Sequence, residues 1–240
     1  MSQKIQYDGD PTIFNPLIRD GYDFRLGDYI SRGWEIFRAY PGGFVAYTLL
    51  LAVITIVVIF IPILGPLAFF VISPSLAAGY YLVADRIVHD EPVEFGSFFD
   101  GFNYLGQLVL VGLVGGILVG IATLFFILPG IYLAVAYSFA APLVLFARLE
   151  FWPALETSRK VISKNWFSIF AFLIVLGFLI NLGFLVFGLG ILIALPVYYL
   201  AMYSAYQDIF GIMDESAYFD DRIDEIGADE GQSDMGSQPF

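Results

Sequence analysis

Ionisable residues fall in blocks along this chain, and three long windows contain none of them. No Asp, Glu, Lys, Arg or His occurs from Ala39 to Ala84, from Gly101 to Ala147, or from Asn165 to Gln207. Each window has room for two spans of about 20 residues and a short turn. Each also carries breakers near its middle: Pro62-Ile-Leu-Gly-Pro66, Leu128-Pro129-Gly130 and Gly188-Leu-Gly190. The pattern predicts an all-α membrane protein with six transmembrane helices arranged as three hairpins. The expected spans are about Phe44–Ile61, Leu67–Ala84, Tyr104–Ile127, Ile131–Ala147, Phe167–Phe187 and Ile191–Gln207.

The segments between the windows are amphipathic. Asp28 is placed to cap a helix that runs to Tyr40, where Pro41-Gly42-Gly43 interrupts it. Ile30, Trp34 and Phe37 share one face of that helix. It suits either the headgroup level of a membrane or the cytosolic ends of the spans. Phe95, Phe98, Phe99 and Phe102 form a second apolar stripe at helical spacing. Trp152, Leu155, Ile162 and Trp166 form a third, opposite Glu156, Arg159, Lys160 and Lys164. The resulting division is a cytosolic N-terminal segment over 1–40 with an irregular start, a transmembrane domain over 41–212, and a tail over 213–240. Asp214 to Asp234 holds nine acids against one Arg222, a composition that favours a solvated, disordered tail.

Composition narrows the class. The chain is 59% hydrophobic and 14% charged, where soluble domains carry about 25% charged residues. A soluble bundle would need charges on every helix, so that class is excluded. An even number of spans puts all 11 Lys and Arg on one side. Basic loops stay cytoplasmic, which predicts that both termini lie in the cytoplasm. Residues 1–40 show no apolar core of a signal peptide, so insertion is expected to start with the first span. With no cysteine, disulfides and thiolate sites are excluded.

Three features inside the spans invite a reading. Gly112, Gly116 and Gly120 strip one helix face of side chains, which lets a neighbouring backbone approach closely; a pore lining is the lesser alternative. Pro74, Pro142 and Pro196 place a kink in each even-numbered span. Pro74 is followed by Tyr80-Tyr81 and Asp85, and Pro196 by Tyr198-Tyr199 and Asp208. This points to an internal repeat: surface helix, straight span, turn, kinked span.

Residue chemistry points away from catalysis. Ionisable residues at mid-depth are the usual functional groups of membrane proteins, and these spans contain none. Ser73, Ser75, Ser138 and Asn181 suit backbone carbonyls freed at kinks or contacts between helices. His89 lies among Asp85, Asp90, Glu91 and Glu94, residue types a metal accepts, but a solvated loop is the commoner use of one imidazole among acids. No metal, no cofactor and no enzymatic activity is expected. An acidic chain with dispersed cations also disfavours nucleic acid. Arg159, Lys160 and Lys164 are the expected contact for anionic lipid headgroups or for the acids of a membrane or cytosolic protein partner.

At Leu128-Pro-Gly-Ile-Tyr-Leu-Ala-Val-Ala-Tyr-Ser-Phe-Ala-Ala-Pro142, Ala154-Leu-Glu-Thr-Ser-Arg159-Lys and Asn165-Trp-Phe, the chain resembles a broad group of bacterial six-helix membrane proteins. That group includes the membrane part of some glycerophosphodiester phosphodiesterases. The resemblance spans about residues 25–212 and implies a six-helix membrane fold; it carries no catalytic residue over to this chain. No soluble stretch here is long enough for the phosphodiesterases' catalytic barrel. Together these features make a membrane scaffold or accessory subunit the first expectation, and a permeation path for an amphipathic solute or lipid the second.

Overall fold

The computed structural model describes residues 9–185 and 188–211, and these are helical with no strand among them. The acidic segment expected over 213–240 lies outside the described residues. The first described elements are a 3-10 turn, Pro11–Phe14, and a short helix α1, Asn15–Asp20. Asp10 accepts hydrogen bonds from the Thr12 amide at 2.8 Å and the Thr12 hydroxyl at 2.7 Å, which caps the turn. An irregular start was expected here. Instead Phe14 is fully buried against Phe210, with ring centroids 5.6 Å apart.

Helix α2, Leu26–Ala39, is amphipathic as expected. Its buried face packs lengthwise on the last helix, where a Cβ on Gly33 would stand 2.6 Å from the Ala201 amide nitrogen, while Arg32, Trp34, Glu35 and Arg38 stay exposed. Asp28 falls inside its first turn and makes no cap hydrogen bond. Tyr40 breaks the chain, and Pro41, whose missing N–H is not needed in a first turn, opens α3, Pro41–Ile59. A short turn leads into α4, Leu64–Val88. The phenylalanine-rich stretch forms a 3-10 helix, Phe95–Tyr104, laid across α4. Next come α5, Leu105–Phe125, then α6, Ile127–Ala136, and α7, Ala140–Phe146. Helix α8, Phe151–Ile162, a 3-10 turn Ser163–Asn165, α9, Trp166–Leu185, and α10, Ile191–Phe210, complete the set.

Among the described residues, five helical stretches are long and apolar enough to cross a membrane: Pro41–Val58, Leu64–Val88, Phe95–Phe125, Ile127–Phe146 and Phe151–Leu185. The chain is therefore a multi-pass membrane protein. Helix α10, expected as the sixth span, falls outside this set. Tyr198, Tyr199, Tyr203, Tyr206, Gln207 and Asp208 make it too polar. It is instead the most enclosed long helix, with Ala194, Val197, Leu200, Ala201, Tyr203 and Phe210 buried between α2, α3, α4 and α9.

The core sits at the end of the bundle away from the hairpin turns. Tyr29, Tyr47, Tyr80, Tyr203, Phe44, Phe98, Phe139 and Phe172 are fully buried there. At the other end the helices expose apolar side chains: Phe60 is 79% exposed, Leu128 78% and Leu189 68%. Water would penalise such a surface by about 25 cal/mol per Å², whereas lipid does not.

The prolines act differently from one another. Helices α4 and α10 continue past Pro74 and Pro196. At Pro142 the helix is interrupted, and α6 ends at Ala136, before α7 starts at Ala140. Pro142 has no N–H for the Ser138 carbonyl and its ring crowds that oxygen, so the chain turns over Tyr137–Phe139. The turn is closed by Ala140 N donating to the Tyr137 carbonyl at 3.0 Å.

Candidate functional site

Polar side chains converge in the packed end of the bundle. Helices α4 and α10 each end in an aspartate, and each aspartate is held by a tyrosine. Tyr203 OH donates to Asp85 Oδ1 at 2.8 Å, and His89 Nδ1 stands 2.8 Å from the Asp85 carbonyl, one turn along α4. Tyr29 OH donates to Asp208 Oδ2 at 2.6 Å, while Arg25 Nη2 donates to Asp208 Oδ1 at 2.8 Å. Burial, reinforced by the carboxylate of Asp208, pushes the Tyr29 hydroxyl up to about 12. Above these pairs, Tyr80 of α4 and Tyr199 of α10 stack with centroids 4.9 Å apart. Thr48 and Tyr80 share a hydrogen bond of 2.7 Å, and Tyr47 OH donates to the Leu76 carbonyl at 2.8 Å. Arg86 Nη2 donates to Asp100 Oδ2 at 2.7 Å, tying the end of α4 to the following 3-10 helix.

This layer fixes helices to one another. Its carboxylates accept hydrogen bonds from residues distant in sequence, which offsets their desolvation. No group of three His, Asp or Glu among the described residues is placed to hold a metal ion.

A second polar feature lies in the break between α6 and α7. Ser158 of α8 is fully buried there; its Oγ donates to the Ala136 carbonyl at 2.7 Å and accepts from the Phe139 amide at 3.3 Å. One hydroxyl thus satisfies both sides of the gap opened by Pro142. Helix α8 turns Ala154, Leu155, Ser158, Val161 and Ile162 inward. Trp152, expected on the apolar stripe, is 53% exposed instead. The small residues decide the register, because they let α8 reach the broken backbone.

The expected basic cluster is divided. Arg159 Nη2 lies 2.8 Å and Lys160 Nζ 3.4 Å from the same Glu156 carboxylate oxygen. Lys164 stands apart, in a polar cleft of about 480 Å³ lined by Arg19, Asp20, Gly21, Tyr22, Asp23 and Asn165. Asn165 Nδ2 donates to the Tyr22 carbonyl there, joining the N-terminal segment to the start of α9. The glycine stripe is also placed differently from its expected use. Gly116 and Gly120 have nothing within 4 Å of a built Cβ, and Gly112 has only Pro74 Cγ, at 3.9 Å. The α5 glycine that packs inside the chain is Gly115, against Leu155 at 3.2 Å.

No family model, no curated protein and no solved structure matches the chain.

Sequence reasoning did not single out Ser158, Tyr203, Tyr29 or the cleft at Arg19 as sites. For the N-terminal segment a signal was present: Asp10-Pro11-Thr12 is a helix-start pattern. For the tyrosine–aspartate pairs no local signal exists, since the partners lie 118 and 179 residues apart.

Proposed function

We propose that this chain is a bacterial inner-membrane protein that crosses six times, keeps both termini in the cytoplasm, and serves as a scaffold or accessory subunit rather than an enzyme. The observation that carries this reading is the division of the molecule. Its polar side chains tie helices together at one end, while the turns at the other end offer a mostly apolar surface among the described residues. Helix α10 would be the sixth crossing, its tyrosines tolerated because neighbouring helices enclose them. The resemblance to six-helix membrane domains points the same way. Arg159 and Lys160 are committed to Glu156, so Lys164 is the cation of the basic segment best placed for a headgroup.

Mild-detergent purification of the full chain tests the role. A stoichiometric companion is expected, with recovery that falls when residues 213–240 are removed. Repeated isolation of the chain without a companion would overturn the reading. A permeation path is the second reading, supported by the interrupted helix α6–α7, since broken helices often frame binding sites. Ser158 fills that break and weighs against it. Flux of an amphipathic solute into liposomes carrying the protein would decide for the path.

A further inference from the structure

We propose that the cleft between the N-terminal segment and the start of α9 binds the headgroup of a zwitterionic phospholipid bearing a primary ammonium, of the phosphoethanolamine type. The inference needs the membrane location of the chain and is independent of the accessory role.

The cleft is lined by two cations, Arg19 and Lys164, and two acids, Asp20 and Asp23. Its charges therefore balance. Arg19 and Asp20 engage each other: Nε lies 3.0 Å from Oδ1, and Nη2 lies 3.1 Å from Oδ2. Beside Arg19, the Asp20 carboxyl is held below its usual range. Lys164 and Asp23 differ from that pair. Both are exposed, and among the described residues neither stands within ion-pair distance of a partner, although Lys164 helps lower the Asp20 carboxyl from further away. A cleft of this size with an unpaired cation and an unpaired carboxylate in its wall suits a ligand carrying both charges.

A phosphate would meet Lys164, and an ammonium would meet Asp23. A simple anion would gain Lys164 but would face two acids as well. A quaternary ammonium has no N–H to give Asp23, so a primary ammonium is the better fit.

The position suits a lipid rather than a soluble ester. Trp166 and Phe167 follow Lys164 and Asn165 directly at the start of α9. Trp166 stacks on Phe170 with centroids 5.0 Å apart, and Phe167 is 81% exposed. Tryptophan at the end of a span marks the headgroup level, and Phe167 offers an apolar surface for the acyl chains.

The test uses the full chain in nanodiscs containing equal parts of phosphatidylethanolamine, phosphatidylcholine and phosphatidylglycerol, with retained lipid read by native mass spectrometry. Phosphatidylethanolamine is expected to be retained preferentially. Lys164→Gln and Asp23→Asn, both at exposed positions, should each lower that retention by about tenfold, the worth of one charge-assisted hydrogen bond. An excess of soluble glycerophosphoethanolamine should leave the lipid in place. Equal retention of the three lipids would overturn the proposal, as would preference for phosphatidylglycerol or retention unchanged in both variants. Full displacement by the soluble ester would assign the cleft to a soluble ligand and overturn the lipid.

Discussion

The Ser158 hydroxyl lies 2.7 Å from the Ala136 carbonyl oxygen, although the two residues belong to different helices and the break between α6 and α7 follows Ala136 directly. The Ser158 Oγ also accepts from the Phe139 amide. Ser158→Ala would leave both backbone groups buried without a partner. It should destabilise the protein by about 1–3 kcal/mol, read as a lower thermal unfolding midpoint in detergent. An unchanged midpoint would show that water or a shifted backbone takes over the role.

Gly33 and Gly116 are both helical glycines with opposite surroundings. A Cβ at Gly33 meets the α10 backbone, at 2.6 Å from Ala201 N and 2.9 Å from Ala201 Cα. Gly33→Ala must push α2 away from α10 and should cost about 1–3 kcal/mol, as overpacking does. Gly116→Ala meets nothing within 4 Å and should leave the stability of the isolated chain unchanged. If another protein packs on the stripe of Gly112, Gly116 and Gly120, the same substitution should lower its recovery in co-purification.

Tyr203→Phe removes a donor from Asp85, a carboxylate only 5% exposed. Loss of a hydrogen bond to a buried charged group costs about 1.5–3 kcal/mol. The variant should unfold at a lower temperature than Tyr104→Phe, which alters a hydroxyl outside this network. Equal midpoints would show that Asp85 is held by its other contacts.

Alkaline stability should report on Tyr29. Its ordinary pKa is near 10, and in the folded chain it is pushed up to about 12. Folding therefore favours the neutral hydroxyl. That contribution is complete below pH 10 and is lost as the pH rises from 10 to 12. Unfolding midpoints measured across this range should fall more steeply for the natural chain than for Tyr29→Phe. Parallel curves would show that Tyr29 does not take part in the alkaline transition.

Orientation can be read with single cysteines, which the chain lacks. Phe60, Leu128 and Leu189 are the exposed choices at the hairpin turns, and Lys160 is an exposed choice at the other end. A membrane-impermeant maleimide added to intact cells should label the first three and not the fourth. The reverse pattern would invert the proposed topology. Ser158 is unsuitable as a probe because it is buried.

Apolar runs and charge placement were legible in the chain itself. A span needs a set length of uncharged residues, so local composition locates the apolar stretches Pro41–Val58, Leu64–Val88, Phe95–Phe125 and Ile127–Phe146. Proline chemistry likewise foretold trouble near Pro142, because the lost N–H and the ring clash are local effects. Local chemistry did not separate Pro142 from Pro74 and Pro196. What separates them is a buried hydroxyl from α8 that pairs the freed backbone, and that depends on which helix lies alongside.

The same reason governs the rest. The three cations of the segment before α9 read alike in sequence, yet Glu156 takes two and the N-terminal segment brings Arg19, Asp20 and Asp23 to the third. Helix α10 reads as a weak span because tyrosine, glutamine and aspartate lower its hydropathy. The tertiary structure makes it the centre of the bundle by giving those groups partners from α2 and α4. Sequence determined where the strongly apolar segments lie, since that follows from short-range composition, but it counted α10 as a sixth where five qualify among the described residues. Which polar groups meet was decided by packing, since hydrogen bonds between residues far apart in the chain have no local signature.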